Sequence, residues 1–262
     1  MEIKCGADPE AFLIDASGHF KSSIGKIGGS KEMPRPLPLG QGYAVQEDNV
    51  ALEFNIPAAE SRSQFVDSIS KTLKYLTDMV QRNYGYEISH VSAISFPEEE
   101  LQDPSAMEFG CTPDFNAWTK ATNPKPKAED WKLRSCGGHV HIGFDVAQVD
   151  RIEVIKFMDL FTGVPSVLMD NGDLRKELYG KSGAFRDTSY GVEYRTLSNF
   201  WIFKDPLIEW IWNNTSRAVE AAAARLPIGD DDAQDIISCI NNNDKALAQK
   251  LVDKFDLEVV YV

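Results

Sequence analysis

Histidine and cysteine are scarce in this chain, with four of each in 262 residues. Cys5, Cys111, Cys136 and Cys239 stand far apart with no CxxC pair. That excludes a disulfide frame or a cysteine zinc site and fits reduced thiols. No apolar run is long enough to span a bilayer, so no membrane segment is expected. The opening MEIKCG enters a strand-like pattern at once. No signal peptide is therefore expected, and the expected setting is a cytoplasm. Basic residues are the minority: 27 Lys and Arg face 40 Asp and Glu, a formal net charge of -13. No nucleic-acid binding is expected from such a balance, because a phosphate backbone calls for a basic face. An acidic protein still binds nucleotide phosphates where divalent cations offset its charge.

What is present suffices for a large core: 43% of the residues are hydrophobic. We expect one domain over 1–262, with a helical C-terminal part from about 204. Ile3 to Asp15 alternates and reads as one strand, Tyr43 to Ile56 as one or two. Strand patterns recur at Tyr86–Ala93, Arg134–Phe144 and 191–198, and the closing LEVVYV reads as a last strand. Between them, Ser61 and Gln64 form a capping signal ahead of Phe65, Ile69, Leu73, Leu76 and Val80, which predicts a helix. Further helices are expected over 148–170, 205–226, 232–241 and 244–255. Residues 24–42 are rich in Gly and Pro and read as a long loop. Strands in runs, without regular βαβ alternation, predict an α+β fold with a mostly antiparallel sheet.

Polar residues break the strand pattern in a repeated way. Residues i and i+2 of a strand share a face. GADPEAF places Asp8 and Glu10 so, GGHVHIG places His139 and His141, and GVEYRTLSN places Glu193 and Arg195. QEDNVALEFN adds Glu47, Asp48 and Glu53. If that strand runs straight, Glu47 shares a face with Glu53; if the chain turns at Asp48-Asn49, Asp48 does. Taken singly, a carboxylate pair is usually a solvated face and an HxH is more often a pair of surface or satisfied histidines. Together they would repel on one sheet face unless cations neutralised them. Hard oxygen ligands with imidazoles suit Mg²⁺ or Mn²⁺, and arginines beside them suit phosphates.

The order of these pieces resembles the glutamine synthetase superfamily, and within it the phage-type carboxylate–amine ligases (COOH–NH2 ligase type 2, amidoligases). The resemblance runs from about residue 3 to 203 and rests on GADPEAFL, GGSKEMP, VQEDNVALEFNIP, FGCTPDFNAW, GGHVHIG and YGVEYRTLSNFW. It implies a glutamine synthetase-like domain: a curved sheet, helices on its outer face, the active site on its inner face. It implies ATP and two to three Mg²⁺ or Mn²⁺ ions as cofactors. Asp8, His139 and Glu193 would hold the ion on the ATP phosphates; Glu10 and Glu53, with one of Glu47 and Asp48, would hold another. His141 would lie beside the phosphates, with Asn199 on the nucleotide side. Arg195 would match the arginine that follows the late glutamate, and Arg186 an arginine that stabilises the transferred phosphoryl group; the setting implied is a bacterial or phage-infected cytoplasm. Asp8 is shorter than the glutamate usual there, and the chain starts at the acidic strand, without the N-terminal domain of glutamine synthetase itself. Glutamate with free ammonia is therefore not the expected substrate pair.

The implied activity joins a small-molecule or peptide carboxylate to an amine through an acyl phosphate. Lys31 and Arg35 in the long loop are candidates to close over phosphate or carboxylate, although a plain surface loop explains them equally. Asp114, Asn116 and Trp118 offer a wall for the second substrate, or a structured turn. Trp201, Trp210 and Trp212 fit a core or an interface, which leaves a homo-oligomer open. Two rival readings use the same residues: a metal-dependent hydrolase that activates water, and a non-catalytic binding module.

Overall fold

Asp8-Pro9 divides the first expected strand in two. The computed structural model, which describes residues 2–107, 114–124, 129–172 and 174–261, has β1 at Lys4–Ala7 and β2 at Glu10–Ile14. Proline has no N–H for a strand ladder, and here the chain crosses from one sheet to another. β3 (Phe20–Lys21) and β4 (Arg35–Pro36) are short. β5 (Ala44–Asp48) and β6 (Ala51–Asn55) form a hairpin around Asn49, whose φ of 54° gives the turn its left-handed residue.

Helix α1 (Arg62–Tyr84) is capped by Ser61, whose Oγ accepts from Gln64 N at 3.3 Å. Gln64 returns to Glu60 N at 2.9 Å, one residue earlier than a standard capping box. Gly85, left-handed at φ 69°, ends the helix. Then come β7 (Glu87–Ser89), β8 (Ala93–Ser95), α2 (Pro104–Met107), β9 (Phe115–Asn116), β10 (Ala121–Thr122), β11 (Leu133–Ser135) and β12 (Val140–Gly143). The helix expected over 148–170 is interrupted: α3 (Arg151–Met158), a π-helical turn at Asp159–Gly163, and α4 (Val164–Met169). α5 (Arg175–Leu178), β13 (Ala184–Thr188), β14 (Gly191–Tyr194) and a 3₁₀ turn (Asn199–Phe203) lead to α6 (Asp205–Ala223), α7 (Asp230–Asn242) and α8 (Lys245–Phe255).

The strand pairs are antiparallel throughout the described residues. Apart from a separate two-stranded β11-β8 sheet, one sheet runs β1-β12-β14-β13-β9-β10, the other β3-β2-β6-β5-β4 with β7 also on β2. Backbone bonds stitch them at the Asp8-Pro9 kink: Ile56 N to Ala7 O at 3.2 Å, Phe54 N to Pro9 O at 3.1 Å and Glu10 N to Gly137 O at 2.9 Å. The result is a mixed α+β fold around a curled antiparallel sheet.

Alternation divides the two faces. Leu13, Val45, Leu52, Phe54, Val140, Ile142, Val192 and Tyr194 join the main core with residues of α1, α3 and α6. The opposite face carries the charged residues, and beyond Glu10 on β2 it is closed by a second cluster around Phe12, Phe96 and Leu101. Trp201 and Trp210 are fully buried, and Trp212 packs against the main core. Cys5, Cys136 and Cys239 are buried free thiols; Cys111 lies outside the described residues. LEVVYV is not a strand over its described residues. Its partners are helix side chains, with Trp210 Nε1 donating to Glu258 O at 3.0 Å and Met169 Sδ accepting from Val260 N at 3.2 Å. Among the described residues no helix is long and apolar enough to cross a membrane.

Candidate active site

Strand register builds a charged floor in two adjoining groups. In the first sheet His141 lies opposite Glu193, and Arg186 opposite Glu193 on its other side. Asp8 enters from the kink. Its Oδ1 is 3.0 Å from His141 Nε2 and 3.5 Å from His139 Nδ1. His139 Nδ1 is 3.7 Å from Glu193 Oε1 and 3.3 Å from Arg195 Nη1. Arg195 also pairs with Glu193 through Nη1 and reaches Asp114 Oδ1 through Nε at 2.8 Å. Arg186 lies 3.8 Å from both Asp114 and Glu193.

In the second sheet Glu10 lies opposite Glu53, which in turn lies opposite Gln46. The turn at Asn49 puts Asp48 on that same face and Glu47 on the other. Gly137 N donates to Glu10 Oε2 at 2.6 Å, and Gln46 Nε2 donates to Glu53 Oε2 at 3.0 Å. Among the described residues two sets thus have ligand atoms within 4.8 Å of one another: Asp8, His141 and Glu193, where His141 stands in place of the expected His139; and Glu10, Asp48 and Glu53.

Burial works to raise the Asp8 carboxyl, but His141 and His139 outweigh it and hold Asp8 far below the usual carboxylate range. Burial raises Glu10, with Asp48 adding to it. Burial, then the charges of Asp8, Glu10 and Asp48, push Glu53 well above its ordinary value. Burial opposes charge on His141, yet Asp8 and Glu193 raise its pKa. For Glu10 and Glu53 this is the signature of carboxylates awaiting a cation, crowded by one another and raised by burial. Asp8 Oδ1 is buried without a well-directed hydrogen bond despite the 3.0 Å approach of His141. A divalent oxygen-seeking ion fits both sets.

Several expected site residues lie elsewhere. Glu47 Oε1 accepts from Ile27 N at 3.1 Å and Gly28 N at 2.6 Å, so it anchors the long loop rather than joining the acidic set. Arg35 is tied into that loop through Ile27 O at 2.8 Å, and Lys31 is exposed on it. Asn199 is fully buried and donates to Glu10 O at 2.8 Å, which makes it a brace of the floor. Asn116 is consumed by its own turn: Oδ1 accepts from Trp118 N at 2.9 Å and Thr119 N at 3.1 Å. Trp118 turns away, its indole donating to Asp159 at 2.7 Å. Of Asp114, Asn116 and Trp118, only Asp114 meets the arginines.

The first two glycines of GGHVHIG make room for the protein's own atoms. A Cβ at Gly137 would lie 2.3 Å from His139 Nε2, and one at Gly138 would lie 2.4 Å from Trp201 Nε1. Three contributors were missed from sequence. Gln46 carries a signal, since it precedes Asp48 by two. Tyr190, whose hydroxyl is 2.5 Å from His141 Nδ1, sits in the β13–β14 turn and has no periodic signature. Asp159 is buried under β14, accepting from Trp118, Gly183 N at 2.6 Å and Tyr194 Oη at 2.8 Å. A hollow of about 410 Å³ opens beside His141 and Tyr190, bounded by Lys4, Gly6, Ile56 and Gly143. Another, of about 460 Å³ near His90, Phe203 and Lys204, is lined by none of these site residues.

Comparison with known proteins finds a similarity over part of the chain. A family model described as Phage phiEco32-like COOH.NH2 ligase-type 2 matches residues 128–249, which hold the His139–His141 and Glu193–Arg195 pairs. Among solved structures, a bifunctional glutathione synthetase from Pasteurella multocida is similar with a TM-score of 0.46 and 12% identity. That similarity covers 97% of this chain and 49% of the other, so the chain spans about half its length. No curated protein matches.

Proposed function

We propose that this chain is a glutamine synthetase-like, ATP- and Mg²⁺-dependent carboxylate–amine ligase. The observation that carries the reading is the pairing of two cation-ready sets on one floor, with Arg186 and Arg195 directly beside Glu193. The ligase family match over 128–249 supports it. Asp8, His141 and Glu193, with His139 alongside, would hold one ion; Glu10, Asp48 and Glu53 another. Bound Mg²⁺ supplies charge neutralisation for the phosphates and the activated carboxylate.

The hollow beside His141 would hold the nucleoside of ATP, and the histidines would face its phosphates. A carboxylate oxygen of the first substrate attacks the γ-phosphorus, and ADP leaves. Arg186 and Arg195 face the negative charge on the phosphoryl oxygens in flight. The amine then attacks the acyl carbon, inorganic phosphate leaves with the C–O bonding pair, and the amine loses a proton as the amide forms. The protein's work is positioning and electrostatics. The carboxylate and amine are small molecules or peptides.

The test is a screen of carboxylates and amines with ATP, reading phosphate release and amide mass. Phosphate release is expected only with both acceptors present. Glu53→Ala and Glu193→Ala should each lower turnover by at least about 100-fold and leave the far-UV spectrum unchanged. Product formed with metal but no nucleotide would point to a hydrolase instead.

A further inference from the structure

We propose that Tyr190 is a positioning residue that turns Nε2 of His141 toward a divalent cation shared with Asp8 and Glu193. An imidazole binds a metal through one bare nitrogen, and the other nitrogen carries the proton and needs an acceptor. His141 has this arrangement. Its Nδ1 lies 2.5 Å from the Tyr190 hydroxyl, in hydrogen-bond geometry. Its Nε2 lies 3.0 Å from Asp8 Oδ1, yet that buried oxygen receives no well-directed hydrogen bond. Two atoms close together and misaligned for a shared proton are arranged like neighbouring ligands of one ion. A ring that donates Nδ1–H to the Tyr190 oxygen keeps its Nε2 lone pair for that ion.

The fold holds Tyr190 to this task. It stands in the turn between β13 and β14. That turn is pressed against β12 so closely that a Cβ on Gly191 would lie 2.0 Å from Ile142 O. Arg151 grips it from behind, Nε to Gly191 O at 3.2 Å and Nη2 to Thr188 O at 3.4 Å. The phenol therefore meets His141 from a fixed backbone, while its ring, 47% exposed, walls the hollow. Loss of such an outer partner typically weakens a metal site about 10- to 100-fold.

This inference rests on the reading of Asp8, His141 and Glu193 as a cation site, and the experiment separates the two. The whole chain and its Tyr190→Phe variant are titrated with Mn²⁺ alone, followed by electron paramagnetic resonance. Their histidine ring nitrogens are then observed by ¹⁵N NMR with saturating Mg²⁺. Tyr190→Phe removes one oxygen from a half-exposed ring, so thermal melting should be unchanged. We expect the variant to bind as many ions, one of them about 10-fold more weakly. His141 should carry its proton on Nδ1 in the parent and lose that preference in the variant. Equal Mn²⁺ affinity in both proteins, or a parent His141 protonated on Nε2 with Mg²⁺ bound, overturns the role of Tyr190. Glu193→Ala is the control for the site itself: unchanged Mn²⁺ binding there overturns the cation site, whatever Tyr190→Phe shows.

Discussion

Glu53 is 8% exposed and faces Glu10 across the strand pair. Burial first, then three neighbouring carboxylates, raises its pKa well above 4.5. A group whose folded pKa is raised adds stability below its unfolded value, and that contribution is lost as pH rises through the folded value. Asp8 has the opposite sign: its stabilisation is present above the unfolded value near 3.8 and is lost in stronger acid. In the metal-free chain, Glu53 is therefore a liability at neutral and alkaline pH. Glu53→Gln keeps the shape and can still accept from Gln46 through its amide oxygen. With chelator present at about pH 8, it should raise stability by about 1 kcal/mol, or Tm by roughly 2–4 °C. The gain should shrink as pH falls toward about 4.5, where the parent carboxyl is itself neutral. A lower Tm for the variant at about pH 8 would show that crowding does not govern this position.

The π-helical turn shows how an element serves the site from beneath. It points Asp159 at the underside of β14, where Tyr194 flanks Glu193 and Arg195. Burial raises the Asp159 carboxyl to about 6, even with Trp118, Tyr194 and Gly183 donating to it. Asp159→Ala leaves those buried donors unpaired, and should cost about 3 kcal/mol by denaturant unfolding. Turnover should fall further than the folded fraction does, because the strand bearing Glu193 and Arg195 loses its support; an unchanged rate per folded molecule would refute that link. This support was not legible in sequence, where 148–170 reads as one helix and nothing marks a turn of different pitch. The strand faces were legible, because a period of two assigns a side without reference to any partner. That is why His139 and His141, Glu193 and Arg195, and the Asp48-or-Glu47 choice could be framed before the fold was known. What defeated sequence reading was local competition for hydrogen bonds. Pro9 broke one strand, Asn116 capped its own turn, Asn199 was drawn under Glu10, and Glu47 was taken by the loop at 27–28. Each outcome depends on which backbone group lies nearby in space, and periodicity carries no such information.

At the scale of the whole molecule, 13 more acidic than basic residues and two partly buried acidic sets make folding and cation binding one problem. Surface charges repel weakly in water and are screened beyond about 10 Å by salt at about 0.1 M. The two sets, each with one buried and two partly buried members, are less open to such screening, and an ion that enters them relieves their repulsion. Binding to the folded chain alone stabilises it by about 2.7 kcal/mol per site at a free concentration 100 times Kd. For a chain of this length that is on the order of 5–10 °C in Tm per site. Mg²⁺ or Mn²⁺ added to the chelated protein should therefore raise Tm well beyond what sodium chloride of equal ionic strength achieves. Glu193→Ala should forfeit the increment from the histidine-side set and keep the other, and Glu53→Ala the reverse. The increments should also fade on acidification at both sets, because protons compete for the His141 imidazole, whose pKa is raised, in one and for the raised Glu10 and Glu53 carboxyls in the other. A Tm shift reproduced by sodium chloride would mean that general screening, and no pair of discrete sites, holds this acidic floor together.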